Sequence, residues 1–313
     1  MLHRSTVQRK EPGVPTNSRE LSAHRSGVLR IGGDLPIHRL GYGAMRLTGP
    51  GIWGDPSDRD NAIAVLRRAV ELGVDFIDTA EAYGPWTNEE LIRQALHPYS
   101  GLVIATKGGG IRPGPNEWEA LGRPGFIRQG VETSLRRLGV ECIDLYQLHR
   151  IDPEVPLADT LGTLKELQEA GKIRHIGLSE VDVEDIQKAR ETVDIVAVQN
   201  RYGLDFREWE HVIDYCSRED ITFIAWGPLG SGTRDPLQAL GQAEGLEGVS
   251  ATQVALAWLL YRAKNTVAIP GTASLRHLEE NVAAAGLRLT DEQFKQLGAS
   301  VVTDMAESVP SSE

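Results

Sequence analysis

Along most of this chain, short apolar runs alternate with longer stretches in which apolar residues recur every three or four positions. The first feature, "VLRIGGDLPIHRLG", alternates apolar and polar residues about a "GGD" turn and reads as a β-hairpin. "LGYGAMRL" is then followed by a helical pattern over 60–72, "FIDTA" by one over 88–96, "LVIATK" by 127–138 and "CIDLYQLH" by 157–170. The rhythm continues with "IRHIGLS" before 183–192, "DIVAVQNRY" before 209–218, "ITFIAWGPL" before 251–262 and "TVAIPG" before 275–285. These runs are mostly continuous rather than alternating, as expected for strands buried on both faces. The stops "ELGVD", "RLGVE" and "EAGKI" set a glycine just past a last helical turn, where a left-handed backbone costs it least. Eight strand–helix units are the number that closes a parallel barrel, so the pattern predicts an α/β fold, a (β/α)8 TIM barrel with an N-terminal β-hairpin.

The first 27 residues break the rhythm. They are polar, rich in Arg and Ser, and interrupted by two prolines, which predicts a disordered extension over 1–27 and a barrel domain over 28–313. The extension has no continuous apolar stretch of the kind a secretory signal or membrane anchor needs, and Glu11 and Glu20 count against a transit peptide. The expected location is cytoplasmic, with no membrane partner. A chain of 313 residues with 41% hydrophobic content suits one large barrel. Its 44 acidic residues against 33 basic ones give a formal charge of -11, and the basic residues form no cluster, so nucleic acid is not an expected partner. The two cysteines, Cys142 and Cys216, fall in a strand and a helix by pattern and read as small buried apolar groups. Neither has zinc-ligand spacing, and no metal is expected.

In a parallel barrel the chemistry sits at the C-terminal ends of the strands, so polar residues there are the ones to question. Asp78 ends the second run, Tyr83 lies in the loop beyond it, Lys107 ends the third run and His149 ends the fourth. Taken singly, each has an ordinary structural use: a turn former, a solvated charge, a satisfied core imidazole. On successive strands at one barrel face they form a chemical set. A phenol has a pKa of about 10, too high for easy proton donation at neutral pH, and an adjacent ammonium lowers it. Lys107 is placed to do this, and Asp78 to supply the counter-charge that a buried ammonium needs. His149 can orient a carbonyl oxygen while Tyr83 donates the proton, which makes a carbonyl-reducing site that still lacks a source of hydride.

From about Val28 onward, "LGYGAM", "DFIDTAEAYG", "ATKGG", "LYQLH", "IGLSE", "VQNRY" and "IPGTASLRHLEEN" occur in the order and spacing of the aldo-keto reductases, a family this chain resembles over nearly its whole length. The resemblance implies that Asp78, Tyr83, Lys107 and His149 are a catalytic tetrad and that the cofactor is NADP(H), with NAD(H) as an alternative. The family binds the dinucleotide without a Rossmann domain, so the absence of G-x-G-x-x-G is no objection. By the same resemblance Ser179 and Gln199 bond the nicotinamide amide, Trp226 stacks on its ring, and the backbone of Gly43, Ala44 and Met45 lines the ribose. "GPLGSGTRD", beginning with Gly227, Pro228 and Leu229, approaches the pyrophosphate, the last helix faces the adenosine phosphate, and Glu280 and Asn281 meet the adenine.

Two positions depart from the family pattern. Gly271 stands where the family carries a lysine for the 2'-phosphate, which leaves Thr272 and Arg276 to hold that group. Glu180 stands where an Asn or Asp is usual, and its longer side chain must find room or turn away from the amide. The expected reaction is reduction of a small-molecule aldehyde or ketone. A dinucleotide-binding regulatory or redox-sensing subunit on the same fold is the alternative, whereas a metal-dependent hydrolase would need several more His and Asp ligands at strand ends. The long "GGGIRPGPNEWEALGRPG" connection carries Trp118 and reads equally as a pocket wall or as a surface loop. Oligomeric state is not legible.

Overall fold

The apolar runs become strands because each is covered on both sides: Val103–Gly108 is buried at every position, and Phe76–Asp78 likewise. The computed structural model describes residues 21–230, 246 and 248–307. An antiparallel hairpin, β1 (Val28–Ile31) and β2 (Leu35–His38), turns at Gly32 and Gly33, both with positive φ. Eight parallel strands follow in the sheet, in chain order: β3 (Tyr42–Gly43), β4 (Phe76–Asp78), β5 (Val103–Gly108), then, past a small antiparallel pair of β6 (Gly110–Ile111) and β7 (Glu119–Ala120), β8 (Ile143–Leu148), β9 (Ile173–Ser179), β10 (Ala197–Arg201), β11 (Thr222–Trp226) and β12 (Thr266–Ala268). The first strand meets the last through a single backbone bridge, Leu40 to Ala268, where Gly41 N donates to Ala268 O (2.9 Å) and Ala268 N to Arg39 O (2.9 Å). Beside this seam the Arg39 guanidinium donates to the carbonyls of Leu260 and Ala263 (2.6 Å each) and Thr266 (3.1 Å).

Helices α1 (Arg59–Glu71), α2 (Thr87–Leu96), α3 (Pro124–Leu138), α4 (Leu157–Glu169), α5 (Val183–Arg190), α6 (Glu210–Arg218), α7 (Ala251–Arg262) and α8 (Leu275–Ala283) each follow a barrel strand, and α9 (Asp291–Glu307) closes the described chain. In α1 the Asp58 side chain accepts from Asn61 N (2.8 Å) and caps the start, while Ala62, Val65, Leu66 and Ala69 recur at helical spacing and are buried. Burying a side chain such as Leu66 contributes roughly 2 kcal/mol. Gly73, at φ +83, ends the turn. Ile31, Leu35 and Ile37 of the hairpin pack with Phe76, Val103, Ala197 and Val267, near the strand starts, and plug that end of the barrel. The opposite end, at the strand C-termini, is where polar side chains collect. No described helix is long and apolar enough to cross a membrane.

Two expectations change. The composition predicts disorder through residue 27, yet Leu21 and Ala23 are buried and Ala23–Ser26 forms a short 3-10 helix. Ala23 N donates to Leu72 O (2.8 Å), and Ser26 Oγ donates to Ala23 O (2.7 Å) while accepting from Leu40 N (3.0 Å). The packed unit therefore includes Leu21 and Ala23, two apolar side chains too few to show a period; residues 1–20 lie outside the described residues. Cys142 is exposed, because β8 begins one residue later, whereas Cys216 is buried on α6 as expected.

Candidate active site

Asp78 pairs in register with Ala105 across β4 and β5. Lys107 is two residues beyond Ala105, on the same face of the pleat, so both side chains enter the barrel at adjacent levels. Lys107 is fully buried; its Nζ donates to Asp78 Oδ1 (2.5 Å), Thr79 O (2.9 Å) and the Tyr83 hydroxyl (3.2 Å). Asp78 Oδ2 accepts from Gln147 Nε2 (3.1 Å) and Gln199 Nε2 (2.8 Å). A buried ion pair of this kind survives because each partner's remaining hydrogen-bonding capacity is met, and removing one partner costs about 3–5 kcal/mol. Burial works against the Lys107 ammonium, but Asp78 and then Tyr83 outweigh it, and the pKa moves up.

Tyr83 differs from its expectation in sign. Lys107 does pull the phenol's pKa down, but burial pushes it up more strongly, aided by Asp78, so the net displacement is upward and the phenol holds its proton at neutral pH. His149 is held well below the usual imidazole range by burial first, then by Lys107, Arg150 and Arg112, and is neutral. Its ring stands edge-on to Tyr83, centroids 5.8 Å apart, and its buried Nδ1 has no partner among the described residues. The structure thus brings Asp78, Tyr83, Lys107 and His149 together at one barrel mouth.

Of the residues expected to line a dinucleotide, Gly43, Ser179, Gln199 and Trp226 lie on barrel strands. Gln199 pairs in register with Ser179 and Ile224. Its amide Nε2 donates to Asp78 and to Gln147 Oε1 (3.1 Å), which leaves Oε1 as the group to accept an amide hydrogen. Ser179 Oγ accepts from Arg150 Nη1 (3.2 Å). Glu180, at φ +56, turns toward the next strands: its Oε1 accepts from Trp226 Nε1 (2.6 Å) and Arg201 N (2.7 Å), fixing the half-buried indole of Trp226. Gly43, Ala44 and Met45 run from β3 into a 3-10 turn. A Cβ on Gly271 would stand 2.6 Å from Gly43 O, so the backbones approach too closely at this point for a side chain to fit without a shift. Thr272 O accepts from the Tyr42 hydroxyl (2.5 Å), and the exposed Arg276 lies in the first turn of α8 with its Nη2 beside His277 Nε2 (2.8 Å). Glu280 is half-buried and Asn281 buried on that helix. Gly227 has φ +58 and leads into Pro228 and Leu229; residues 231–235 of that loop lie outside the described residues.

Trp118 lies against the site: its ring stands edge-on to those of Tyr83 and His149, at 6.3 and 5.8 Å, so this part of the long connection borders the tetrad. Gln147, Arg150 and Arg112 are site residues that the sequence reading missed. Gln147 had a signal, because it lies two residues before His149 in "LYQLH" and shares its face of the strand.

A model of the Aldo/keto reductase family matches residues 39–301. The chain is 48% identical over 281 residues to an uncharacterized oxidoreductase of Schizosaccharomyces pombe, covering 90% of this chain and 92% of that one. It is 40% identical over 274 residues to pyridoxine 4-dehydrogenase of Escherichia coli, covering 85% and 95%. Among solved structures, an aldo/keto reductase from Klebsiella pneumoniae in complex with NADP and acetate superposes with TM-score 0.74 at 27% identity, over 91% of this chain and 97% of that one. With a family match across most of its length and relatives of this identity and coverage, the chain belongs to the aldo/keto reductase family.

Proposed function

We propose that the protein reduces a small-molecule aldehyde or ketone to the alcohol with NADPH. The observation that carries this reading is the buried Lys107 ammonium, bonded at once to Asp78 and to the Tyr83 hydroxyl, with His149 against the same phenol. When bound, the nicotinamide supplies hydride to the carbonyl carbon. Tyr83 gives its proton to the carbonyl oxygen as negative charge gathers there. Lys107 interacts weakly with the neutral phenol and strongly with the phenolate left behind, so its effect falls on the transition state rather than on the resting enzyme. Asp78, tied by Gln147 and Gln199, holds Lys107 Nζ at the phenol. A neutral His149 can donate a ring N–H to the substrate oxygen without competing for the proton that Tyr83 delivers.

The residues present fit a nicotinamide dinucleotide. Gln199 Oε1 and Ser179 Oγ suit the carboxamide, the Trp226 ring that Glu180 secures suits stacking, and Gly43, Ala44 and Met45 offer backbone beside a ribose. Gly227, Pro228 and Leu229 suit the pyrophosphate; Gly271, Thr272, Arg276, Glu280 and Asn281 suit the adenosine end. Relatives named as oxidoreductases, and the NADP complex of the Klebsiella protein, support the choice of cofactor. Cytoplasmic residence belongs to the same proposal. In the test, Tyr83→Phe loses carbonyl reduction by roughly 10²–10⁴-fold while the NADPH dissociation constant holds. Near-wild-type turnover in that variant refutes the assignment, and NADPH binding by the wild type without turnover of any carbonyl favours a regulatory subunit.

A further inference from the structure

One cation at the barrel mouth is hydrogen-bonded to no member of the tetrad. Arg112, just past β6, is 8% exposed and aims its guanidinium at backbone carbonyls of three successive connections. Nη2 and Nη1 donate to Gly51 O (2.7 Å) and Ile52 O (2.8 Å) after β3; Nη1 also reaches Ala82 O (3.4 Å) after β4. Nε and Nη2 donate to Glu117 O (2.7 Å) and Gly114 O (3.3 Å) within its own loop. Among the described residues it forms no ion pair with a carboxylate, and burial pushes its pKa down. Such a cation is costly to keep, and here carbonyl dipoles from three loops solvate it. The charge also rests on aromatic faces, 3.9 Å from the Trp118 centroid and 6.0 Å from that of Trp53. Trp118 and Trp53 are 43% and 37% exposed, large apolar surfaces at the mouth that holds Tyr83 and His149.

We infer that Arg112 is a positioning residue that locks the Trp118 indole as a rigid flat wall beside Tyr83, and that this wall selects planar conjugated carbonyls, aryl aldehydes above all, over branched aliphatic ones. The inference rests on the reductase reading and deepens it. A carbonyl held at the Tyr83 hydroxyl must run its substituent past the indole, because Trp118 stands next to both Tyr83 and His149. A flat ring stacks on such a wall, whereas a tertiary-alkyl group cannot lie flat against it. A wall that is already fixed costs the substrate no ordering of the loop, which is why the strut matters as well as the indole.

The test compares benzaldehyde with pivalaldehyde, by kcat/KM with NADPH, in the wild type, Arg112→Met, Arg112→Lys and Trp118→Leu. The benzaldehyde-to-pivalaldehyde ratio is expected to fall about three- to ten-fold in Arg112→Met and Trp118→Leu, mainly through KM for benzaldehyde. Lysine has no planar fork with which to reach three loops, so Arg112→Lys is expected to restore only part of the ratio. A second arm titrates the NADP⁺ complex with benzyl alcohol and with neopentyl alcohol, followed by tryptophan fluorescence. Preference for benzyl alcohol in the wild type, lost in Arg112→Met and in Trp118→Leu, supports the wall even where no carbonyl is turned over, an outcome that would refute the reductase reading alone. An unchanged ratio in both arms, or an equal loss for the two substrates, overturns the inference. Because Trp118→Leu leaves the arginine and its five carbonyls in place, a folding defect in Arg112→Met does not hide the answer.

Discussion

Glu81 lies between Asp78 and Tyr83 in the chain but points to the other side of the barrel wall, and its protonation should set part of the pH dependence of stability. Thr106 and Tyr146, paired in register on β5 and β8, face the helices there, and the Glu81 carboxyl joins them at 5% exposure. Glu89 from α2, bonded to Thr106 Oγ1 (2.6 Å) and Arg137 Nε (2.6 Å), is the nearby like charge; Arg137 Nη2 from α3 is 3.9 Å from Glu81 Oε2. Neither Glu81 Oε1 nor the Tyr146 hydroxyl has a hydrogen-bond partner among the described residues. Burial first and Glu89 second raise the Glu81 pKa from 4.5 to about 7, against the pull of Arg137 and of the Gly109 N–H. The folded protein then holds a proton that the unfolded chain has released. The contribution is fully present below pH 4.5 and is lost as pH rises through about 7. At 1.4 kcal/mol per decade, this span is worth roughly 3 kcal/mol. Glu81→Gln keeps the shape and cannot ionise, so urea unfolding between pH 5 and 8 should show the wild type losing about that much more stability than the variant. Comparing the two cancels every group that both proteins share. Parallel stability curves would refute the reasoning, because they would mean that Glu81 is ionised in the fold throughout that range.

Other outcomes are equally direct. Lys107→Met should lower turnover at every pH up to the alkaline range and shift the alkaline limb upward, because the one downward influence of a cation bonded to Tyr83 is gone; overlapping profiles would show that Lys107 does not tune the phenol. Asp78→Asn should produce a smaller change in the same direction of turnover, measured alongside it. Arg276→Ala should narrow the preference for NADPH over NADH, read from the two dissociation constants, by roughly five- to ten-fold at low salt and less at high salt; a gap untouched by the substitution removes Arg276 as the phosphate reader. Gly271→Ala should cost about 1–3 kcal/mol in urea unfolding, since its Cβ would press on a backbone carbonyl rather than on a side chain that can move.

What was legible in the sequence is what depends on a residue's neighbours along the chain. The eight strands announced themselves because burial on both faces leaves unbroken apolar runs, and the tetrad because strand ends in a parallel barrel share one face. The hairpin followed from its two glycines. What was not legible depends on what lies across space. Arg112 shows no period and no charged partner, and its meaning appears only when the carbonyls of three loops converge on it. The upward displacement of Tyr83 was read with the wrong sign because a sequence displays the neighbouring lysine and not the burial that outweighs it. Leu21 and Ala23 were assigned to a tail for want of a pattern, although two apolar side chains suffice once a groove exists to receive them.

The seam between the first and last strands has a mechanical consequence. Where neighbouring barrel strands share at least two register pairs, this join has one backbone bridge, a long bond from Gly43 N to Pro270 O (3.5 Å), the Tyr42 hydroxyl on Thr272 O and the Arg39 guanidinium. A cylinder with one short ladder parts along that line before it unravels elsewhere, so amide exchange at Gly41 and Ala268, whose N–H groups cross the seam, should report the opening of the whole barrel wall. Gly43 and Gly271 lie on opposite lips of the same line, their backbones nearly touching. A ligand seated across both lips therefore acts as a clasp. Each tenfold rise of its concentration above the dissociation constant adds about 1.4 kcal/mol against opening, so a cofactor bound as proposed would make its own retention and the closure of the cylinder one equilibrium.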